Sequence, residues 1–140
     1  MCKNNSASTR CQFYFSIING KSLNLGINGA SDNGAGGYTY TFSTDTWYHI
    51  AATYNGTNYA MYINGSLVKS GTCSSSKPSS TLNIGIGCRS TDAAGTATAG
   101  SNSKKLNDVR IYDNALSAEE VKKLSQGLIV HYPLNRRGFG

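Results

Sequence analysis

Residues 46–56, TWYHIAATYNG, followed by residues 61–68, MYINGSLV, decide the fold. Trp47, His49, Ala51 and Thr53 fall on one side of an alternating pattern; Tyr48, Ile50, Ala52 and Tyr54 fall on the other. Period-two alternation rich in aromatic and β-branched residues is the signature of a strand. Neither side carries a formal charge, so both are expected to be covered, as in a central strand. Asn55-Gly56 is a turn signal, and residues 58–63 form the returning strand with Tyr59, Met61 and Ile63 on one face. Asn64-Gly65 turns the chain again into residues 66–68. The pattern is a meander of short antiparallel strands.

Working outward, residues 12–17 alternate and lead into Asn19-Gly20, a pair suited to a type I′ turn because both positions tolerate positive φ. Residues 21–27 return with Leu23, Leu25 and Ile27 on one face. Residues 28–37 are a Gly/Asn/Ser/Ala loop, and residues 38–42 put Tyr38, Tyr40 and Phe42 on one face of a further strand. On the other side, residues 69–80 read as a polar loop, residues 81–87 as a strand, residues 89–103 as a long loop and residues 106–112 as a strand. Ser117-Ala118-Glu119-Glu120 has the spacing of a capping box, predicting a short helix that ends at about Ser125, before Gly127. Residues 128–132 read as a last strand, stopped by Pro133. About nine strands and one short helix predict an all-β antiparallel sandwich.

Composition agrees with that class. The chain has 140 residues, enough for one domain with a real core. Only 14% of residues are charged, and nine tyrosines and sixteen glycines suit strands joined by tight turns. The formal net charge of +6 comes largely from separated doublets such as Lys104/Lys105, Lys122/Lys123 and Arg136/Arg137. No aromatic platform is interleaved with them, so a nucleic-acid partner is not expected. No apolar run approaches the length of a membrane span, so no membrane partner is expected either. The polar opening MCKNNSASTRC does not read as a signal peptide. Cys2, Cys11, Cys73 and Cys88 contain no C-x-x-C pair, which disfavours zinc; Cys73 and Cys88 flank a predicted strand and could meet as a disulfide in a secreted chain, with free buried thiols expected otherwise.

Four segments together carry a family likeness: TWYHIAATYNG, MYINGSLV, LNIG at residues 82–85 and LNDVRIYDNALSAEEVKKL at residues 106–124. In that order the chain resembles the second half of a laminin-G-like jelly-roll domain of the concanavalin A-like lectin/glucanase superfamily. The likeness covers roughly residues 12–124. Family domains begin with two or three further strands that this chain does not show. GLIVHYPLN at residues 127–135 is similar to the family's first strand yet stands last. The expected organisation is therefore a jelly-roll domain over residues 1–126, with residues 127–140 either a final strand closing its sheet or the start of a second, truncated copy. The likeness implies a virion or cell-surface setting, with a glycan or surface polysaccharide, a second copy, or other virion proteins as partners.

The chemistry points away from catalysis. Glycoside hydrolysis needs two facing carboxyl groups, and the Glu-x-Asp-x-Glu strand of the superfamily's glucanases is absent. His49 and His131 have no G-x-S-x-G nucleophile elbow to serve, so each is expected to be a hydrogen-bonded structural residue. Arg110 is expected to pair with a carboxylate such as Asp108, or with a turn carbonyl. No cofactor is expected. The resemblance does bring in a rim Ca²⁺, for which Asp32, Asp92 and Asp108 are the candidate ligands. Sugar binding calls for aromatic faces beside amides and hydroxyls, and binding residues concentrate on loops held by a rigid scaffold. Asn28, Asp32, Asn33, Tyr38, Tyr40, Asp92 and Asn102 are the candidates. The expected function is a non-catalytic carbohydrate-binding or adhesion module; the alternative is a structural decoration module of a phage particle without a sugar site.

Overall fold

The computed structural model describes residues 2–5, 8–27, 37–73, 84–87, 89–90, 97–98 and 105–127. Nine strands and one helix lie within them: β1 (Cys2–Asn5), β2 (Ser8–Ile18), β3 (Ser22–Ile27), β4 (Gly37–Thr39), β5 (Ile50–Tyr54), β6 (Asn58–Ile63), β7 (Ser66–Thr72), β8 (Arg89–Ser90), β9 (Ala97–Thr98) and α1 (Ala118–Ser125). Strands β1-β2-β3-β4 form one antiparallel sheet, β5-β6-β7 a second, and β8-β9 a two-stranded ribbon.

The two larger sheets face each other across one core. Leu23, Leu25 and Ile27 alternate along β3; Tyr59, Met61 and Ile63 alternate along β6; all six are at most 4% exposed and cluster with Cys73. Phe15, Ile17, Tyr38, Tyr40, Phe42, Tyr48, Ile50, Ala52 and Tyr54 pack around them, half-buried. Burying the inner faces of two sheets against each other is how a sandwich removes apolar surface from water. The faces read from the alternation of β3 and β6 are thus the inward faces of the molecule, and the antiparallel β-sandwich with one short helix stands.

Two glycines accept aromatic rings across the strands. Gly26 pairs with Tyr14 and Gly71 with Tyr59. A side chain at Gly26 would run into the Tyr14 ring, and one at Gly71 would meet the Tyr59 ring at 3.0 Å. Each sheet therefore uses one glycine as the floor for a tyrosine, a way of stabilising glycine within a strand.

Several elements differ from expectation, each for a non-local reason. Cys2–Asn5 is a strand although it is polar, because ladder bonds to β2 satisfy its backbone. The strand expected over 47–54 begins only at Ile50, and it is an edge of its ladder; the central strand is β6. β7 runs on to Thr72 through what reads as loop, with one irregularity opposite Met61/Tyr62 that inserts Val68 as a bulge. β4 stops at Thr39, although Tyr40 and Phe42 still donate backbone bonds to Lys21 and Gly20. Residues 89–90 and 97–98 pair inside the stretch expected to be loop.

Residues 106–112 are not a strand. Asp108 has φ +53°, a left-handed conformation that breaks strand alternation in the middle of the segment. Of the strand expected over 81–87, residues 84–87 show only an isolated bridge at Gly85. The expected strand at 128–132 lies outside the described residues, as does Cys88; Cys73 is buried at the end of β7.

The helix matches its sequence signal. Ser117 caps it, its hydroxyl accepting from the Glu120 N–H, while the Glu120 carboxylate accepts from the Ser117 N–H at 2.8 Å. These bonds to the ionised form hold the Glu120 carboxyl below its ordinary range. Val121 is the buried residue of α1.

Candidate functional site

One end of the sandwich gathers aromatic side chains and an exposed turn. The Phe42 N–H donates to Gly20 O at 2.9 Å, which places the chain leaving β4 beside the Asn19-Gly20 turn. Residues 44–45 then reverse direction, with Asp45 at φ +53° and the Thr46 hydroxyl donating to Thr44 O at 3.1 Å. Tyr48 braces this reversal: its phenol oxygen accepts from the Ser43 N–H at 3.1 Å.

Tyr40, Phe42 and Tyr48 form a ring cluster below the reversal, with centroids 4.8–5.8 Å apart and tilted or edge-on geometry. Burial, with Tyr48 beside it, pushes the Tyr40 phenol above its ordinary value. Hydrogen bonding with Ser43, through its side chain first and its backbone N–H second, pulls Tyr48 below its own.

Trp47, next to Tyr48 in the chain, is 64% exposed. Its immediate neighbours Thr44, Asp45 and Thr46 are also exposed. An exposed indole thus follows, in the chain, two threonines and an aspartate that are exposed as well. Leaving Trp uncovered forfeits burial that would stabilise the fold, and Trp is a residue typical of recognition surfaces. Alternation alone assigns Trp47 to a covered strand face. The signal that could have found it is the Ser-Thr-Asp-Thr run just before it, a composition of turns rather than of strands.

The other sequence candidates are distributed as follows. Tyr38 and Tyr40 are half-buried and pack against the core from β4 and its continuation, with only part of each surface open to a ligand. Asp108 is exposed on the 105–112 segment, and both its oxygens accept from Arg110, at 2.8 Å from Nε and 2.9 Å from a terminal nitrogen. This fork also raises the Arg110 pKa. The expected Asp108–Arg110 pairing is present, and it engages the carboxylate that the calcium reading would use. Among the described residues no three His, Cys, Asp or Glu side chains are grouped to hold a metal. Asn28, Asp32, Asn33, Asp92 and Asn102 lie outside the described residues, so Tyr38, Tyr40 and Asp108 are the candidates the structure places.

His49 corrects a further expectation. It is clamped through its backbone: its N–H donates to Asn64 Oδ1 at 3.0 Å, and its carbonyl accepts from the Asn64 N–H at 2.8 Å. Its ring Nδ1, however, is buried with no hydrogen-bond partner among the described residues. Burial lowers its pKa; nearby Asp108 opposes that shift and Arg110 adds to it. Burial of the ring favours the neutral imidazole, while the Asn64 bonds hold the backbone of the same residue.

No helix among the described residues is long and apolar enough to cross a membrane. No curated protein matches the chain. A crystal structure of an S-layer domain-containing protein (residues 221–444) from Clostridium thermocellum is similar at 22% identity with a TM-score of 0.44, over 86% of this chain and 59% of that one. The family model for laminin-G domains of the concanavalin A-like lectin/glucanase type matches residues 3–122, spanning β1 through most of α1, and the chain belongs to that superfamily.

Proposed function

We propose that this protein is a non-catalytic carbohydrate-binding or adhesion module of a virion or cell-surface protein, and that Trp47 is its contact platform. The observation that carries this reading is a 64% exposed Trp next in the chain to Tyr48 of the ring cluster and preceded by the exposed Thr44, Asp45 and Thr46. The indole face suits the C–H face of a sugar ring, while the hydroxyls and the carboxylate suit its hydroxyls. One such shallow site binds weakly, and several copies on one surface supply avidity.

Two of the described carboxyls are committed to structural bonds. Asp108 is engaged by Arg110, and Glu120 is committed to the helix cap and held low, the opposite of a general acid.

The test is a glycan-array screen of the intact chain, with and without calcium, at known oligomeric state. Reproducible binding of one sugar class is expected, falling about tenfold or more in Trp47→Ala and much less in Trp47→Phe, since a tenfold loss corresponds to ~1.4 kcal/mol of contact. Binding that needs calcium would bring Asp32 and Asp92 into the site. Silence from a folded sample would sink the sugar reading and leave the structural decoration module in its place.

A further inference from the structure

We propose that Asn19 is a self-modifying site: the Gly20 amide nitrogen attacks its side chain and converts it, without an enzyme, to aspartate and isoaspartate, while the fold protects the same dipeptide elsewhere. Asn19-Gly20, Asn55-Gly56 and Asn64-Gly65 are the Asn-Gly pairs within the described residues. All three carry the same intrinsic chemistry. Glycine has no Cβ to shield its nitrogen, and the short Asn side chain closes a five-membered ring.

In the first step the bond from the glycine nitrogen to Cγ forms and the Cγ–Nδ2 bond breaks. The proton lost from the glycine nitrogen departs with Nδ2 as ammonia, and a succinimide remains. Water then opens the ring. Opening at the side-chain carbonyl gives aspartate. Opening at the α-carbonyl gives isoaspartate, with the main chain routed through Cβ and Cγ. Either product adds a negative charge to a chain whose net charge is +6.

The fold holds two of these amides and leaves the third. Asn55 Oδ1 accepts from the Thr57 N–H at 3.0 Å and from the Asn58 N–H at 2.7 Å. Asn64 Oδ1 accepts from the His49 N–H at 3.0 Å, and Lys122 Cα of α1 lies 3.1 Å from where a side chain on Gly65 would begin. Asn19 is exposed, and among the described residues no hydrogen bond holds its side chain. A side chain on Gly20 would meet nothing within 4 Å. Ring closure needs Cγ to swing over the next nitrogen. That swing breaks side-chain bonds at Asn55 and Asn64 and none at Asn19. One such bond slows the step by about tenfold.

The turn at Asn19 carries more than itself. The Lys21 N–H donates to Ile18 O at 3.0 Å, and Gly20 O accepts from the Phe42 N–H at 2.9 Å. Isoaspartate adds a methylene to the main chain of a two-residue turn that sets β2 against β3. Conversion therefore releases the Phe42 amide. The site is independent of the sugar reading at Trp47.

Peptide mapping by mass spectrometry tests this on the full chain, aged at neutral pH both folded and in urea. Dividing each folded rate by the rate of the same residue in urea removes sequence effects. The ratio for Asn19 is expected to exceed those for Asn55 and Asn64 by about tenfold or more. Equal ratios, a higher ratio at Asn55 or Asn64, or an Asn19 that stays intact in the folded chain while converting in urea would overturn the proposal. In the isoaspartate fraction, hydrogen exchange at Phe42 is expected to rise about tenfold or more while the β6 amides stay protected. Unchanged exchange at Phe42 would refute the link from the turn to β4.

Discussion

The two hairpin turns at Asn19-Gly20 and Asn64-Gly65 are the same dipeptide in the same backbone conformation, yet they do different work. Both residues of each turn have positive φ, 51° and 66° in the first, 49° and 75° in the second. That is the conformation Asn-Gly is selected for. Around the first turn there is space: a side chain on Gly20 would meet nothing within 4 Å. Around the second turn the fold closes in. A side chain on Gly65 would strike the Ser125 hydroxyl and lie 3.1 Å from Lys122 Cα, both in α1, while Asn64 clasps His49 at the approach to β5. A local rule made both turns, and the second has also become the joint between β5, β6, β7 and the helix.

Substitution separates the two roles. Gly65→Ala is expected to lose about 3 kcal/mol in equilibrium denaturation, from backbone strain plus a clash with α1, whereas Gly20→Ala loses about 1 kcal/mol from strain alone. Equal losses would show that the helix does not bear on the turn. Asn64→Ala should cost about 2 kcal/mol, since it removes a side-chain acceptor as well as a residue that tolerates positive φ, against about 1 kcal/mol for Asn19→Ala. Amide exchange at His49 should rise in the first variant and not in the second. Ser117→Ala removes the helix cap and should lower stability by about 1 kcal/mol. If the joint is real, much of that loss disappears in a Gly65→Ala background, where α1 is already displaced.

The smallest effect is a pH dependence. The folded-state pKa of His49 is depressed below 6.5, chiefly by burial, so the unfolded chain binds the proton more readily. Its contribution is fully present above pH 6.5 and is lost as pH falls through the folded value. The denaturation midpoint of the parent chain should therefore fall between about pH 7 and pH 5 more than that of His49→Gln, which has no imidazole to protonate. Identical slopes would mean that the imidazole reaches solvent or finds a partner.

The sandwich itself was legible because its signals are local. Alternation put Leu23, Leu25, Ile27, Tyr59, Met61 and Ile63 on the correct faces, and Ser117 with Glu120 marked the helix start. The candidate site was less legible. Trp47 reads as a covered strand residue, but the ladder to β6 begins only at Ile50, paired with Ile63. The bonds that end at Asn64 leave residues 43–48 to form their own reversal. Residues 106–112 read as a strand for the same reason, and the left-handed Asp108 broke the pattern.

Neighbours in the chain fix the turns through Asn-Gly pairs, the strand faces through period two, and the helix cap through Ser and Glu three apart. Contacts between distant residues set which strand is central, where polar Cys2–Asn5 finds its backbone partners, which of two identical turns is packed, and that Trp47 is left in water. The physical reason is that hydrogen-bond ladders and burial are set by residues far apart in sequence, and a short window of side chains carries no record of what will lie beside it.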